Sequence, residues 1–281
     1  MTAVVALVTL SLSGMAQAAG DDPDPGKELV INGDMQMVTR VKAPDNIPGL
    51  TNVYSGWLFH DPSTQAMEMD DFDNPGMTGA ETGTENWSVA DGSEGKSCAS
   101  CHGDIEKMKG VRTHMPKVNK DGKLWSMEDY INNCRTTRMG AKAWSWNSAD
   151  MQDMVAAISV QSRGMPMAVA TDGAAAKFWK EGEKMYYTRT GMLELSCASC
   201  HEQNYGNHIR AEHLSQGQLN GFPTYRLKTA KLVSIHNRLK GCVRDTRAET
   251  YKEGTDALRI LELYVASRSN GLSVEGVAVR P

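Results

Sequence analysis

The stretch Ser97-Cys98-Ala99-Ser100-Cys101-His102 returns unchanged as Ser196-Cys197-Ala198-Ser199-Cys200-His201, 99 residues later. A lone cysteine follows each copy, Cys134 after the first and Cys242 after the second. Their surroundings match as well. Cys134-Arg135-Thr136-Thr137-Arg138 pairs with Cys242-Val243-Arg244-Asp245-Thr246-Arg247, with one residue inserted. Each half then closes on an amphipathic helix pattern. Met151, Met154, Val155 and Ile158 keep helical spacing before Gly164, and Leu258, Leu261 and Val265 do so before Gly271. Ser148 and Thr255 stand where N-caps belong. A unit of this length, repeated once, is a duplicated domain and not a solenoid. A further helix is expected from Ala175 to Tyr187, presenting Phe178, Met185 and Tyr186 to a core.

Cys-x-x-Cys-His is the attachment signature of c-type haem. The two thiols bond the porphyrin edge, and the following His is held beneath the iron. Two haem c groups are therefore expected, one on Cys98, Cys101 and His102, the other on Cys197, Cys200 and His201. A pair of zinc or dithiol sites leaves the His of both copies unexplained. The expected fold is mainly α: two tandem cytochrome c-like domains at 91–170 and 171–281, behind an irregular N-terminal extension at 20–90. Residues 61–91 are rich in Asp, Gly and Thr, and their pattern predicts little regular structure.

The second axial ligand has competing candidates. Met165 and Met167 follow His102 at tempting distances, but aligning Gly164 with Gly271 sets Leu272 opposite Met165, and Leu cannot ligate. The feature that is duplicated is the lone cysteine. Cys134 and Cys242 either pair as a disulfide, which export permits, or serve as axial thiolates, each with Arg within four residues. Residue arithmetic alone leaves both open.

The 281 residues carry 30 Lys plus Arg against 34 Asp plus Glu. That balance, with no basic run, excludes a generic nucleic-acid binder. The apolar run at 3–13, followed by Ala16-Gln17-Ala18, has the h-region and cleavage pattern of a secretory signal over 1–19, although no Lys or Arg precedes Lys27. The run is too short to span a bilayer. The expectation is an exported, periplasmic protein with no membrane span in its mature chain.

Taken with the motifs, several further stretches resemble one family. They are Met69–Met77 (MDDFDNPGM), Lys96–Gly103, Gln161–Met165, Leu195–His201, Ser215–Leu227 (SQGQLNGFPTYRL) and Arg238–Arg247 (RLKGCVRDTR). The chain resembles the SoxA family, dihaem subunits of the SoxAX cytochromes of bacterial thiosulfate oxidation. The resemblance implies His/Cys ligation of both haems, which maps onto His102 with Cys134 and His201 with Cys242. It implies that the second haem is catalytic, that Cys242 carries a persulfide, and that Arg238 helps bind the anionic substrate. It also implies coupling of thiosulfate to a cysteine thiol of the carrier SoxYZ, with electrons leaving through the haem of SoxX. The alternatives are a dihaem cytochrome that only transfers electrons and a dihaem peroxidase; the matched lone cysteines weigh against both. Lys240, Arg244 and Arg247 either add to the field at the site or solvate the surface. His60, His114, His208, His213 and His236 are expected as surface, haem-edge or hydrogen-bonded structural residues, with His236 near enough to Arg238 in sequence to approach the site.

Overall fold

Local serine chemistry starts both motif turns. Ser97 Oγ accepts from Ser100 N at 3.2 Å, and Ser196 Oγ accepts from Ser199 N at 3.2 Å. Each second serine returns the bond to the backbone of the first, at 3.0 and 3.1 Å. This reciprocal capping supplies partners for donors that a short helix leaves orphaned. The structure, a computed structural model, describes residues 22–209 and 212–281. The expected signal segment lies outside the described residues.

The N-terminal arm pairs β1 (Val30–Ile31) with β2 (Met35–Gln36), and β3 (Arg40–Lys42) with β4 (Asn52–Tyr54), both antiparallel. It has a small core of its own, in which Leu29, Ile31, Trp57 and Phe59 are buried together. Helices α1 (Pro62–Met69) and α2 (Met77–Asn86) follow. These two correct the expectation of little regular structure in 61–91. The sequence of α2, MTGAETGTEN, has no large apolar stripe for a periodicity argument to detect. Its glycines do the work through close approach. A Cβ on Gly83 would lie 2.1 Å from the Asp153 carbonyl oxygen, so the two backbones nearly touch there.

The first unit continues with α3 (Ala99–His102), the hairpin β5 (Lys117–Val118) and β6 (Leu124–Trp125), α4 (Met127–Arg138) and α5 (Ala149–Val160). Ser126 and Asp129 form the capping box of α4, and Ser148 caps α5 as expected. Met151, Met154, Val155 and Ile158 point into a core with Trp87, Ile105, Met127 and Ile131. The second unit holds α6 (Ala176–Tyr187), α7 (Cys197–His201), β7 (His208–Ile209), β8 (Glu212–His213), β9 (Thr224–Arg226), β10 (Lys231–Val233), α8 (Ile235–Asp245), α9 (Asp256–Ser267) and β11 (Ala278–Arg280). Strand β9 lies between β10, antiparallel, and β11, parallel. Thr255 holds the N-cap position of α9, but its hydroxyl donates to Lys252 O at 2.8 Å and caps nothing.

A second close approach shows how far the duplication extends. Gly182 of α6 would place a Cβ 2.5 Å from the Ile260 carbonyl oxygen of α9. Gly83 and Gly182 stand 99 residues apart, the offset of the two motifs. The α2–α5 and α6–α9 pairs are thus equivalent, and each repeat opens with a glycine-bearing helix. Gly83→Val is expected to force α2 off α5 and destabilise the first unit by about 2–3 kcal/mol. A melting curve that matches wild type would refute the contact.

Candidate functional site

In α7 one helical turn puts Cys197 and Cys200 on the same side, with His201 next in sequence. His201 Nδ1–H donates to Ser215 O at 2.7 Å, which leaves Nε2 as the free lone pair. Gly217, at φ +75°, lies so close that a Cβ there would fall 2.9 Å from the imidazole ring. Burial holds His201 down to about 4, with Arg238, Arg268 and Arg280 adding to it, so the imidazole is neutral at physiological pH. A neutral, backbone-oriented imidazole beside two reduced thiols fits the proximal ligand of a covalently held haem. In the first unit, α3 follows Cys98 and carries Cys101 and His102. There His102 packs against Trp87 with ring centroids 5.8 Å apart, and Trp87 Nε1 donates to Gly103 O at 2.8 Å.

No cysteine is joined to another, so Cys134 and Cys242 do not form the disulfide that sequence parity allowed. Each faces its own motif. Burial raises the Cys98 thiol and Cys134 adds to this, while burial and then Cys101 raise Cys134. Burial pushes the Cys197 thiol up to about 12 and Cys242 adds to this, and Cys200 is raised in the same order. The placement repeats to the residue: Cys134 and Cys242 each lie eight positions after the serine that starts their helix, Ser126 and Ser234.

Arg238 sits one helical turn before Cys242 on α8. The Cys242 sulfur beside it is the largest influence holding its guanidinium protonated. Its Nη2 donates to Glu212 Oε2 at 3.2 Å, and Arg226 Nη2 donates to Glu212 Oε1 at 2.7 Å. Sequence reasoning missed Glu212, Arg226 and Arg280. Arg226 lies inside the most family-specific stretch, but no helical or strand period links positions 212, 226, 238 and 280. Only strand pairing and the packing of α8 bring them together.

Several candidates prove structural. His236 is fully buried; its Nδ1 accepts from Gly254 N at 3.0 Å and its Nε2–H donates to Glu262 at 3.1 Å. It also stacks on Trp146 at 4.2 Å. Lys240 pairs with Glu253 at 2.6 Å, and Arg244 is exposed. Met167 belongs to the core of the second unit, away from the motif it follows in sequence.

The N-terminal ends of α4 and α8 meet at a buried polar cluster. Glu262 of α9 accepts from Ser126 and from His236. Arg112 is buried beside it and donates to Phe222 O at 3.1 Å and Leu219 O at 2.9 Å. Burial, and then Glu262, push Glu128 up to about 7. The folded state therefore binds this proton more tightly than the unfolded chain. Its stabilising share is complete below pH ~4.5 and is lost as pH rises through about 7, a change of about 3 kcal/mol. Glu128→Gln is expected to flatten this slope and raise the melting temperature at pH 8. Melting followed from pH 5 to 8 checks it, and an unchanged slope would count against the assignment.

These features define the class: c-type cytochrome domains, built by duplication. The family model described as SoxA/TsdA, cytochrome c domain, matches residues 82–167 and 181–274. The chain is 53% identical over 273 residues to the L-cysteine S-thiosulfotransferase subunit SoxA of Paracoccus pantotrophus, covering 95% of this chain and 94% of the relative. It is 51% identical to the same subunit of Rhodovulum sulfidophilum, covering 96% and 94%. The crystal structure of SoxXA from P. pantotrophus superposes with a TM-score of 0.90 at 54% identity, covering 92% of this chain and 100% of that one. The chain belongs to the SoxA/TsdA cytochrome c family. Among the described residues no helix is long and apolar enough to cross a membrane.

Proposed function

We propose that the chain is a dihaem cytochrome c subunit that couples thiosulfate to a cysteine thiol of a SoxYZ carrier. Residues Cys98, Cys101, His102 and Cys134 would hold one haem. Residues Cys197, Cys200 and His201 would hold the other, with Cys242. The relatives named L-cysteine S-thiosulfotransferase subunit SoxA support this activity, and the SoxXA structure supports a SoxX partner. The signal pattern at 1–19 supports a periplasmic site of action. The observation that carries the reading is Arg238 one turn from Cys242, beside the second motif.

The overall chemistry joins a carrier thiol and thiosulfate through a new S–S bond, releasing one proton and two electrons. When bound, haem takes up electrons one at a time, which suits export of this pair in single steps through SoxX. Arg238 binds and orients the dianion, because a guanidinium offers fixed paired donors to oxyanions. Cys242 Sγ is the covalent relay. Its thiolate and thiosulfate form Cys–S–S–SO3⁻ with loss of two electrons. The carrier thiolate then attacks the middle sulfur, takes the S–SO3⁻ group and restores the Cys242 thiolate. A persulfide at Cys242 adds one sulfur to this scheme.

The intact mass of the holoprotein tests the assignment. It should contain two haems and one extra sulfur. Sustained electron release, beyond the one pair per chain that loading Cys242 yields, that needs both thiosulfate and a carrier thiol supports the transferase; sustained release without any carrier favours a purely electron-transferring cytochrome. Arg238→Ala is expected to raise KM for thiosulfate by about 10-fold or more, the cost of one charge-assisted contact. An unchanged thiosulfate dependence removes Arg238 from the site.

A further inference from the structure

Arg238 does not stand free. Glu212 gives one carboxylate oxygen to Arg238 at 3.2 Å and the other to Arg226 at 2.7 Å. One carboxylate thus spans two guanidinium groups. The β9 register sets Lys231 on one side of Arg226 and Arg280 on the other. Directly paired positions on neighbouring strands project from the same face, so these three make a cationic row. The Arg280 guanidinium is buried, with Glu275 and Glu68 near it. Arg226 and Arg238 share Glu212, helped by the Pro281 carbonyl oxygen on Arg226 at 3.0 Å and by Asp245 near Arg238. Glu212 is 41% exposed, at the end of a two-residue strand.

We propose that Arg226 and Arg238 together form the seat for the sulfonate end of thiosulfate, and that Glu212 is a tethered stand-in anion which the substrate displaces. This rests on the reading of Arg238 given above. The exchange is chemically matched. A carboxylate and a sulfonate each present two oxygens on one central atom, so the donors that hold the first can hold the second. It is also electrostatically favourable, because a dianion replaces a monoanion between two cations with a third behind them. Glu212 can turn into solvent without leaving a buried charge.

Selectivity follows from the tether. A side chain anchored within reach competes at an effective concentration of about millimolar or more. A free monoanion carries no charge advantage over it, whereas a dianion does. Glu212 therefore sets specificity by competition, admitting thiosulfate and excluding carboxylates and other monoanions.

Calorimetric titration of the fully reduced holoprotein, which has no acceptor for the electrons of bond formation, with sodium thiosulfate, sodium sulfate and sodium acetate tests this without turnover. Arg226→Gln should weaken thiosulfate binding about 10-fold or more, with Arg226→Lys between it and wild type. Glu212→Gln should tighten thiosulfate and sulfate binding several-fold and make acetate binding measurable. In turnover, the Glu212→Gln effect should appear as a lower KM and a new sensitivity to acetate. Weaker thiosulfate binding in Glu212→Gln, or no gain for acetate, would show that Glu212 only clamps the two arginines and would overturn the proposal. Unaltered binding in Arg226→Gln would do the same. If Arg238→Ala weakens binding while both of these variants match wild type, the two-arginine seat fails and the function stands. If Arg238→Ala also binds normally, the function's assignment of Arg238 fails first.

Discussion

Cys242→Ala is expected to reduce turnover to background, a loss of about 10⁴-fold in kcat, while the protein still binds thiosulfate. The size follows from its position in the proposed scheme. A residue that forms and breaks the covalent bond has no substitute nearby, and losses for such residues are at least of that order and reach about 10⁶-fold. Cys197 and Cys200, the other thiols close to Cys242, belong to the attachment motif and are raised by burial. Arg238 keeps its contact with Glu212 in the variant, so the anion seat survives. Binding and chemistry are therefore expected to separate. Titration should give a thiosulfate affinity near wild type, and the thiosulfate- and carrier-dependent electron signal should vanish. The low-spin thiolate signature in electron paramagnetic resonance should be lost from one centre only. Turnover at the wild-type rate in Cys242→Ala would end the relay scheme and leave a cytochrome that only passes electrons.

The double substitution Cys197→Ser/Cys200→Ser should have the second largest effect. It removes both attachment points in the unit that carries Arg238 and Cys242. The intact mass should fall by one haem. The core around Ala198, Tyr186, Leu239 and Leu258 lies next to these positions, with Cys197 packed directly against it. A covalently held haem buries its apolar face only in the folded state, so its loss would empty part of this core and should lower the melting temperature of the second unit by about 10 °C or more. Turnover should fall about 10³-fold or further. The matching change at Cys98 and Cys101 probes the first unit, whose His102 is exposed and lies farther from the anion seat in sequence. If the first-unit variant folds and keeps turnover, the first haem is an electron store or a relic of the duplication. If it folds and loses turnover, electrons must pass through that unit.

Much of this site is legible along the chain because its chemistry is local. The motif turns are each six residues long, and their serines complete the caps within three residues. Cys134 and Cys242 were recognisable because duplication repeated them, and the structure then placed each beside its own motif and not beside the other. Helix α5 was legible because Met151, Met154, Val155 and Ile158 form a stripe. Helix α2 was not, because its packing depends on what Gly79 and Gly83 lack. A missing side chain leaves no hydrophobic period, and only the facing backbone of α5 reveals why glycine is needed.

By itself the sequence determined the chemistry: two Cys-x-x-Cys-His turns, a lone cysteine after each, and Arg238 one turn before the second. Spacings of three to four residues fix side-chain neighbours on a helix whatever the rest of the chain does. The tertiary structure alone decided what surrounds that chemistry. It set Glu212 between Arg226 and Arg238, ranged Arg280 beside them, and buried Glu128 against Glu262 where α4 and α8 meet. These partners are separated by tens to more than a hundred positions. Their meeting depends on strand register and helix packing, which arise from the summed contacts of the whole fold and leave no period in the chain.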